Sequence, residues 1–122
     1  MNRQILGFAS SFVVALAFAA VLHAHMKIEK TEPADGATLT AAPTALQLML
    51  SEKPDLKVTK VELAGASGKV TLGPAHMMGE KTLMAAVTGK MATGKYTVNW
   101  QTAGDDGHVQ KGSFAFTVKA AE

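Results

Sequence analysis

Beyond its first two dozen residues, the chain alternates apolar and polar positions in short runs separated by turn residues. Successive side chains of a strand point to opposite faces, so a period of two predicts half-buried strands. Met26–Thr31 alternates and is stopped by Pro33-Ala34-Asp35-Gly36, where Pro presets φ and Asp-Gly suits a tight turn. Ala45–Leu50 is a compact apolar run following Pro43. Lys57–Leu63 sets Val58, Val61 and Leu63 among Lys57, Thr59, Lys60 and Glu62, and Gly65-Ala66-Ser67-Gly68 then turns the chain into Lys69–Leu72. Thr82–Val87, Lys95–Thr102 and Ser113–Lys119 complete the set. Tyr96, Val98 and Trp100 share one register, and Phe114, Phe116 and Val118 share another. No stretch keeps an apolar stripe at helical spacing beyond about two turns, because Pro, Gly and Thr interrupt each candidate. An all-β chain of about seven short strands predicts an immunoglobulin-like antiparallel β-sandwich, with closure into a small barrel as the alternative.

The first residues read differently. Met1–Gln4 holds one charge, Arg3, and Ile5–Leu22 is uncharged and rich in Ala, Val, Phe and Leu. That order, with small residues crowding its end, is the order of a secretory signal peptide. The run is nearly long enough to span a bilayer, so a permanent anchor is the competing reading. Ala17-Phe18-Ala19 fits the small-x-small cleavage rule best and would start the mature chain at Ala20. A cut after Ala24 puts Leu22 in a poorer position but starts the chain at His25. The domain reading is 1–24 as signal peptide and 25–122 as one exported, periplasmic binding domain.

Formal net charge is only +2, and Arg3 leaves with the leader, so the remainder is near neutrality. It has no field with which to attract nucleic acid or a membrane surface. Cysteine is absent, which excludes both disulfides and thiolate metal sites. Catalytic patterns are also missing: there is no Ser-His-Asp spacing, no glycine-rich phosphate loop and no pair of carboxylates in an apolar setting. The chain therefore reads as a binding protein rather than an enzyme.

What remains is a sparse set of histidines: His23, His25, His76 and His108. In Asp105-Asp106-Gly107-His108, Gly107 permits a tight turn, so Asp106 and His108 can converge above a sheet edge. Read alone, this is more often a hairpin turn with an exposed His, because Asp-Gly is a common turn signal. His25 alters the balance. As residue one of a cleaved chain it would carry a free α-amine beside its ring Nδ1, two nitrogen donors from a single residue. With a nitrogen from His108 and an oxygen from Asp106, the set suits tetragonal Cu(II) better than tetrahedral Zn(II).

These stretches resemble the CopC family of copper-resistance proteins. His25-Met-Lys-Ile-Glu-Lys-Thr-Glu-Pro-Ala-Asp-Gly, then Pro43 and Leu46–Leu50 with Ser51-Glu52, looks like the start of the mature family members. Tyr96-Thr-Val-Asn-Trp100, Asp106-Gly-His108 and Gly112-Ser-Phe-Ala-Phe116-Thr-Val118 resemble its closing motif. The resemblance implies a periplasmic sandwich holding one Cu(II) through His25, Asp106 and His108. It also implies an inner-membrane copper transporter of the CopD type as partner. Glu52 matches an acidic residue that lies near the metal in some members and is the candidate outer contact. Some members add a methionine-rich Cu(I) site at the opposite end. The dense Met-x-x-Met loop is missing here, which leaves His76, Met77 and Met78 as candidate Cu(I) ligands, with Met49 and Met84 as expected core filler.

Two other functions fit parts of the pattern. An N-terminal His with a second His is also the copper site of polysaccharide monooxygenases, but this chain is short and has few aromatics for a sugar-binding face. A metal-free assembly sandwich is the third reading.

Overall fold

The computed structural model describes residues 26–120. Nine strands form two sheets: β1 (Ile28–Glu32), β2 (Ala37–Leu39), β3 (Ala45–Leu50), β4 (Lys60–Gly65), β5 (Gly68–Val70), β6 (His76–Met77), β7 (Thr82–Ala86), β8 (Gly94–Ala103) and β9 (Val109–Val118). One sheet runs β1-β3-β7-β6 and the other β2-β9-β8-β4-β5. All pairings are antiparallel except β2 with β9. The expected β-sandwich is the architecture observed.

Alternation builds the core. Leu46, Leu48 and Leu50 of β3 and Leu83 of β7 are buried, and they share one cluster with Leu63, Tyr96, Val98, Phe114, Phe116 and Val118 of the other sheet. Tyr96 and Phe116 stack with ring centroids 5.8 Å apart, and the Tyr96 hydroxyl donates to the Ala92 carbonyl at 2.6 Å. Trp100 packs against the edge of the cluster, its ring lying on Gly112, the residue opposite it in β9. A side chain at position 112 would occupy the space of the indole.

The expected strands hold, with four adjustments. Lys57 and Val58 belong to a 3-10 turn over Leu56–Val58, because the Asp55 carboxylate accepts the Lys57 N–H at 3.0 Å and turns the chain before β4. β9 starts at Val109, since Gln110, Lys111 and Gly112 find ladder partners in Thr102, Gln101 and Trp100. β2 and β6 are additional. Ala37–Leu39 joins the second sheet after the predicted turn, where Gly36 has φ +81° and Asp35 Oδ1 accepts the Ala115 N–H at 3.0 Å. Met49 and Met84 are not core filler: both are half-buried and alternate with the inward-facing leucines, on the outer face of their sheet.

Candidate metal centre

β8 and β9 form the longest hairpin of the described residues, and ladder pairing closes at Ala103 and Val109. The five residues between them are shaped by local hydrogen bonds. Gly107 sits at φ +73°, a region that favours glycine, and its N–H donates to the Gly104 carbonyl at 3.1 Å. Asp106 uses both carboxylate oxygens: Oδ1 accepts the His108 N–H at 3.1 Å, and Oδ2 lies 3.3 Å from His108 Nδ1. The Asp106 side chain is 19% exposed and that of His108 70%, so the carboxylate is sheltered while the ring reaches water. The turn expected of Asp106-Gly107-His108 therefore exists, and it brings the oxygen and nitrogen donors together.

Glu52 holds this loop from the other sheet. It follows β3, and its Oε1 accepts the Asp105 N–H at 3.0 Å. Its side chain lies against buried Gly104, where any Cβ would collide with the carboxylate. A few residues on, the Asp55 N–H donates to the Ala103 carbonyl at 2.8 Å. The start of the described chain meets the same end of the sandwich. Met26 is buried in the core cluster, Lys27 donates its N–H to Ser51 Oγ at 2.8 Å, and Ser51 returns its own N–H to the Lys27 carbonyl at 2.9 Å. Three segments, 26–27, 51–55 and 103–108, thus converge at one end.

Of the residues nominated from sequence, Asp106 and His108 meet in this loop, Glu52 bonds the neighbouring Asp105 amide, and His25 lies outside the described residues. Among the described residues no three His, Cys, Asp or Glu side chains are grouped so as to hold a metal ion. Asp106 and His108 supply one oxygen and one nitrogen, and Glu52 is committed to the Asp105 amide. Gly104 and Ser51 escaped sequence reasoning as positioning residues. Ser51 was visible only as the neighbour of Glu52, and Gly104 looks like any loop glycine until the carboxylate is seen packed on it.

The nominated run His76-Met77-Met78 lies on and just after β6. Strand alternation sends Met77 against the core, while His76 and Met78 are exposed. Among the described residues no helix is long and apolar enough to cross a membrane.

Comparison with known proteins agrees with this architecture. Copper resistance protein C of Xanthomonas campestris pv. juglandis is 31% identical over 119 residues, covering 91% of this chain and 89% of the relative. Protein YobA of Escherichia coli K12 is 30% identical over 99 residues, 79% of this chain and 80% of the relative. The crystal structure of PcoC, a methionine-rich copper resistance protein from Escherichia coli, superposes with a TM-score of 0.71 at 26% identity, over 79% of this chain and 100% of PcoC. CopC from Methylosinus trichosporium OB3b, at 21% identity, shares the fold with a TM-score of 0.72. The family model of the CopC domain matches residues 28–119, from the first strand to just past the last, and the chain belongs to the CopC family.

Proposed function

We propose that the exported protein begins at His25 and carries Cu(II) in the periplasm. Its donors are the His25 amine and ring, His108 and Asp106, and its role is copper resistance, homeostasis or delivery to a CopD-type membrane transporter. One observation carries the reading: the Asp106–His108 pair is built into a braced loop at the end of the sandwich where Met26 is anchored in the core. A terminal residue joined to Met26 is therefore tethered to that end by the peptide bond. The donor chemistry fits the cargo, since imidazole and amine nitrogens with one carboxylate oxygen favour Cu(II). The protein acts as a binder, with the loop supplying donors to the ion.

Binding should be steeply pH-dependent. Nitrogen donors must shed their protons before they can ligate, so protons compete with the metal. Affinity is therefore expected to fall on acidification, with more than one proton taken up per copper released. Competition titrations of Cu(II), repeated from neutral to mildly acid pH, measure this. A flat profile would mean that carboxylates or thioethers hold the metal.

Glu52 enters as a positioning residue. Removing its carboxylate in Glu52→Ala leaves the Asp105 N–H without its partner and frees the loop beneath Asp106. Outer partners of metal ligands are typically worth about 10–100-fold in affinity, and a Cu(II) loss of that order is expected with the melting temperature little changed. The electron paramagnetic resonance spectrum should keep its nitrogen couplings, which loss of a direct ligand would alter.

A further inference from the structure

Aspartate is followed by glycine at two places in the chain, Asp35-Gly36 and Asp106-Gly107. A glycine in that position leaves its amide nitrogen unshielded by a side chain, so the nitrogen can approach the aspartate carboxyl carbon. Both glycines have positive φ, +81° at Gly36 and +73° at Gly107, and a Cβ on either would meet open space. Both pairs are exposed. They differ in what holds the two groups that would react.

At Asp35-Gly36 a distant strand holds both. The Gly36 N–H donates to the Ala115 carbonyl at 2.7 Å, and Asp35 Oδ1 accepts the Ala115 N–H at 3.0 Å. Bringing nitrogen and carboxyl together there would break the bonds that tie the turn to β9. At Asp106-Gly107 the nitrogen is held only from within its own loop, by the Gly104 carbonyl at 3.1 Å. Asp106 Oδ1 accepts the His108 N–H at 3.1 Å, which folds the carboxyl back over the Gly107 peptide. Proximity of that kind lowers the barrier to an intramolecular reaction. Glu52 braces the loop at Gly104 and Asp105, just short of the pair.

We propose that Asp106 is a site of spontaneous isomerisation to isoaspartate. The Gly107 amide nitrogen adds to the carbon of the protonated Asp106 carboxyl. The amide proton and the carboxyl hydroxyl leave as water, and a five-membered succinimide closes. Water then adds to one of its two carbonyls and opens the ring. Addition at the side-chain carbon restores aspartate. Addition at the former main-chain carbon breaks its bond to nitrogen and routes the chain through the side chain. One water leaves and one returns, with no oxidation or reduction. The product has an extra methylene in the main chain and its carboxylate directly on Cα, so the contacts of Asp106 with His108 lose their geometry. The reaction needs no copper. If Asp106 holds Cu(II) as proposed above, isomerisation removes that donor and displaces His108, while a bound ion keeps the carboxyl away from the nitrogen.

The metal-free exported protein, aged for weeks in heavy-oxygen water at neutral pH, would be digested with trypsin and sequenced by fragment mass spectrometry. Isoaspartate carrying one solvent oxygen is expected at position 106, within the peptide Tyr96–Lys111, and not at position 35. Asp106→Glu should abolish the signal, because its longer side chain would have to close a less favourable six-membered ring. The proposal is overturned if position 106 stays unmodified, if position 35 isomerises as fast, or if Asp106→Glu leaves the signal unchanged. Cu(II)-loaded protein aged in parallel addresses the donor assignment separately. Protection of position 106 supports Asp106 as a ligand, whereas equal ageing counts against that ligand and leaves the isomerisation standing.

Discussion

A protein carrying His108→Ala is expected to lose Cu(II) affinity by more than the roughly 10–100-fold that losing an outer partner costs, because an equatorial nitrogen is removed outright. The fold should be indifferent. His108 projects from a loop with its side chain 70% exposed and fills no part of the core. Asp106→Ala should weaken binding less, since water can take one oxygen position on a tetragonal ion, although it also removes the acceptor of the His108 N–H and so loosens the turn. Placing one residue before His25 is expected to be about as damaging as losing His108, because it converts a basic amine into an amide. Affinity titration with matched circular dichroism separates these effects from unfolding. Electron paramagnetic resonance should show a tetragonal centre with nitrogen couplings that change in His108→Ala. Parent-like binding by that variant would reduce the Asp106-Gly107-His108 stretch to a hairpin turn. Intact mass of exported material checks the premise, since a chain starting at Ala20 lacks the terminal amine at His25.

Phe116→Ala should be the most destabilising single change in the sandwich. The ring is 1% exposed, stacks on Tyr96 and sits in β9, which is paired on both sides, by β2 and β8. Truncating a buried phenylalanine costs about 3–5 kcal/mol through lost transfer energy and the cavity left behind. Against a total stability of about 5–15 kcal/mol, that is a large share. For a domain of this size each kcal/mol moves the melting temperature by about 4–8 °C, so a drop of about 12 °C or more is expected by calorimetry. Val109→Ala is the control: the side chain is 48% exposed, and its loss should stay within about 0.5 kcal/mol. At low temperature the folded fraction of Phe116→Ala should bind Cu(II) with parent affinity, because Phe116, paired with Tyr96, lies toward the opposite end of β9 from the Asp106–His108 loop. Copper should also raise its melting temperature, since a ligand bound only by the folded state stabilises it by mass action. Equal melting of Phe116→Ala and the parent would refute this account of the core.

These two variants mark the division between loop chemistry and core packing, and that division is only partly legible in the sequence. The compact apolar run Ala45–Leu50 and the alternation over Lys95–Thr102 and Ser113–Lys119 settled the strands and which side chains of β8 and β9 share a face, because burying one face is a local property with a period of two. Asp-Gly-His likewise announced a turn with converging donors, since a positive φ at Gly107 needs only glycine and its neighbours. Contacts between segments distant in sequence were decided by the tertiary structure alone. Glu52 reaches Asp105 across 53 positions, and Gly104 has to lack a side chain only because that carboxylate lies on it. β2 and β6 are too short to show a period and exist because a neighbouring strand offers them a ladder. The methionines make the same point. Met49, Met77 and Met84 are alike in hydropathy, so composition cannot tell an inward from an outward methionine. Strand parity sends Met77 against the core and leaves Met49 and Met84 on the outer face of their sheet. Sequence sets what each residue can do locally, whereas register between strands, determined by burying the leucine rows of β3 and β7, selects which residues meet.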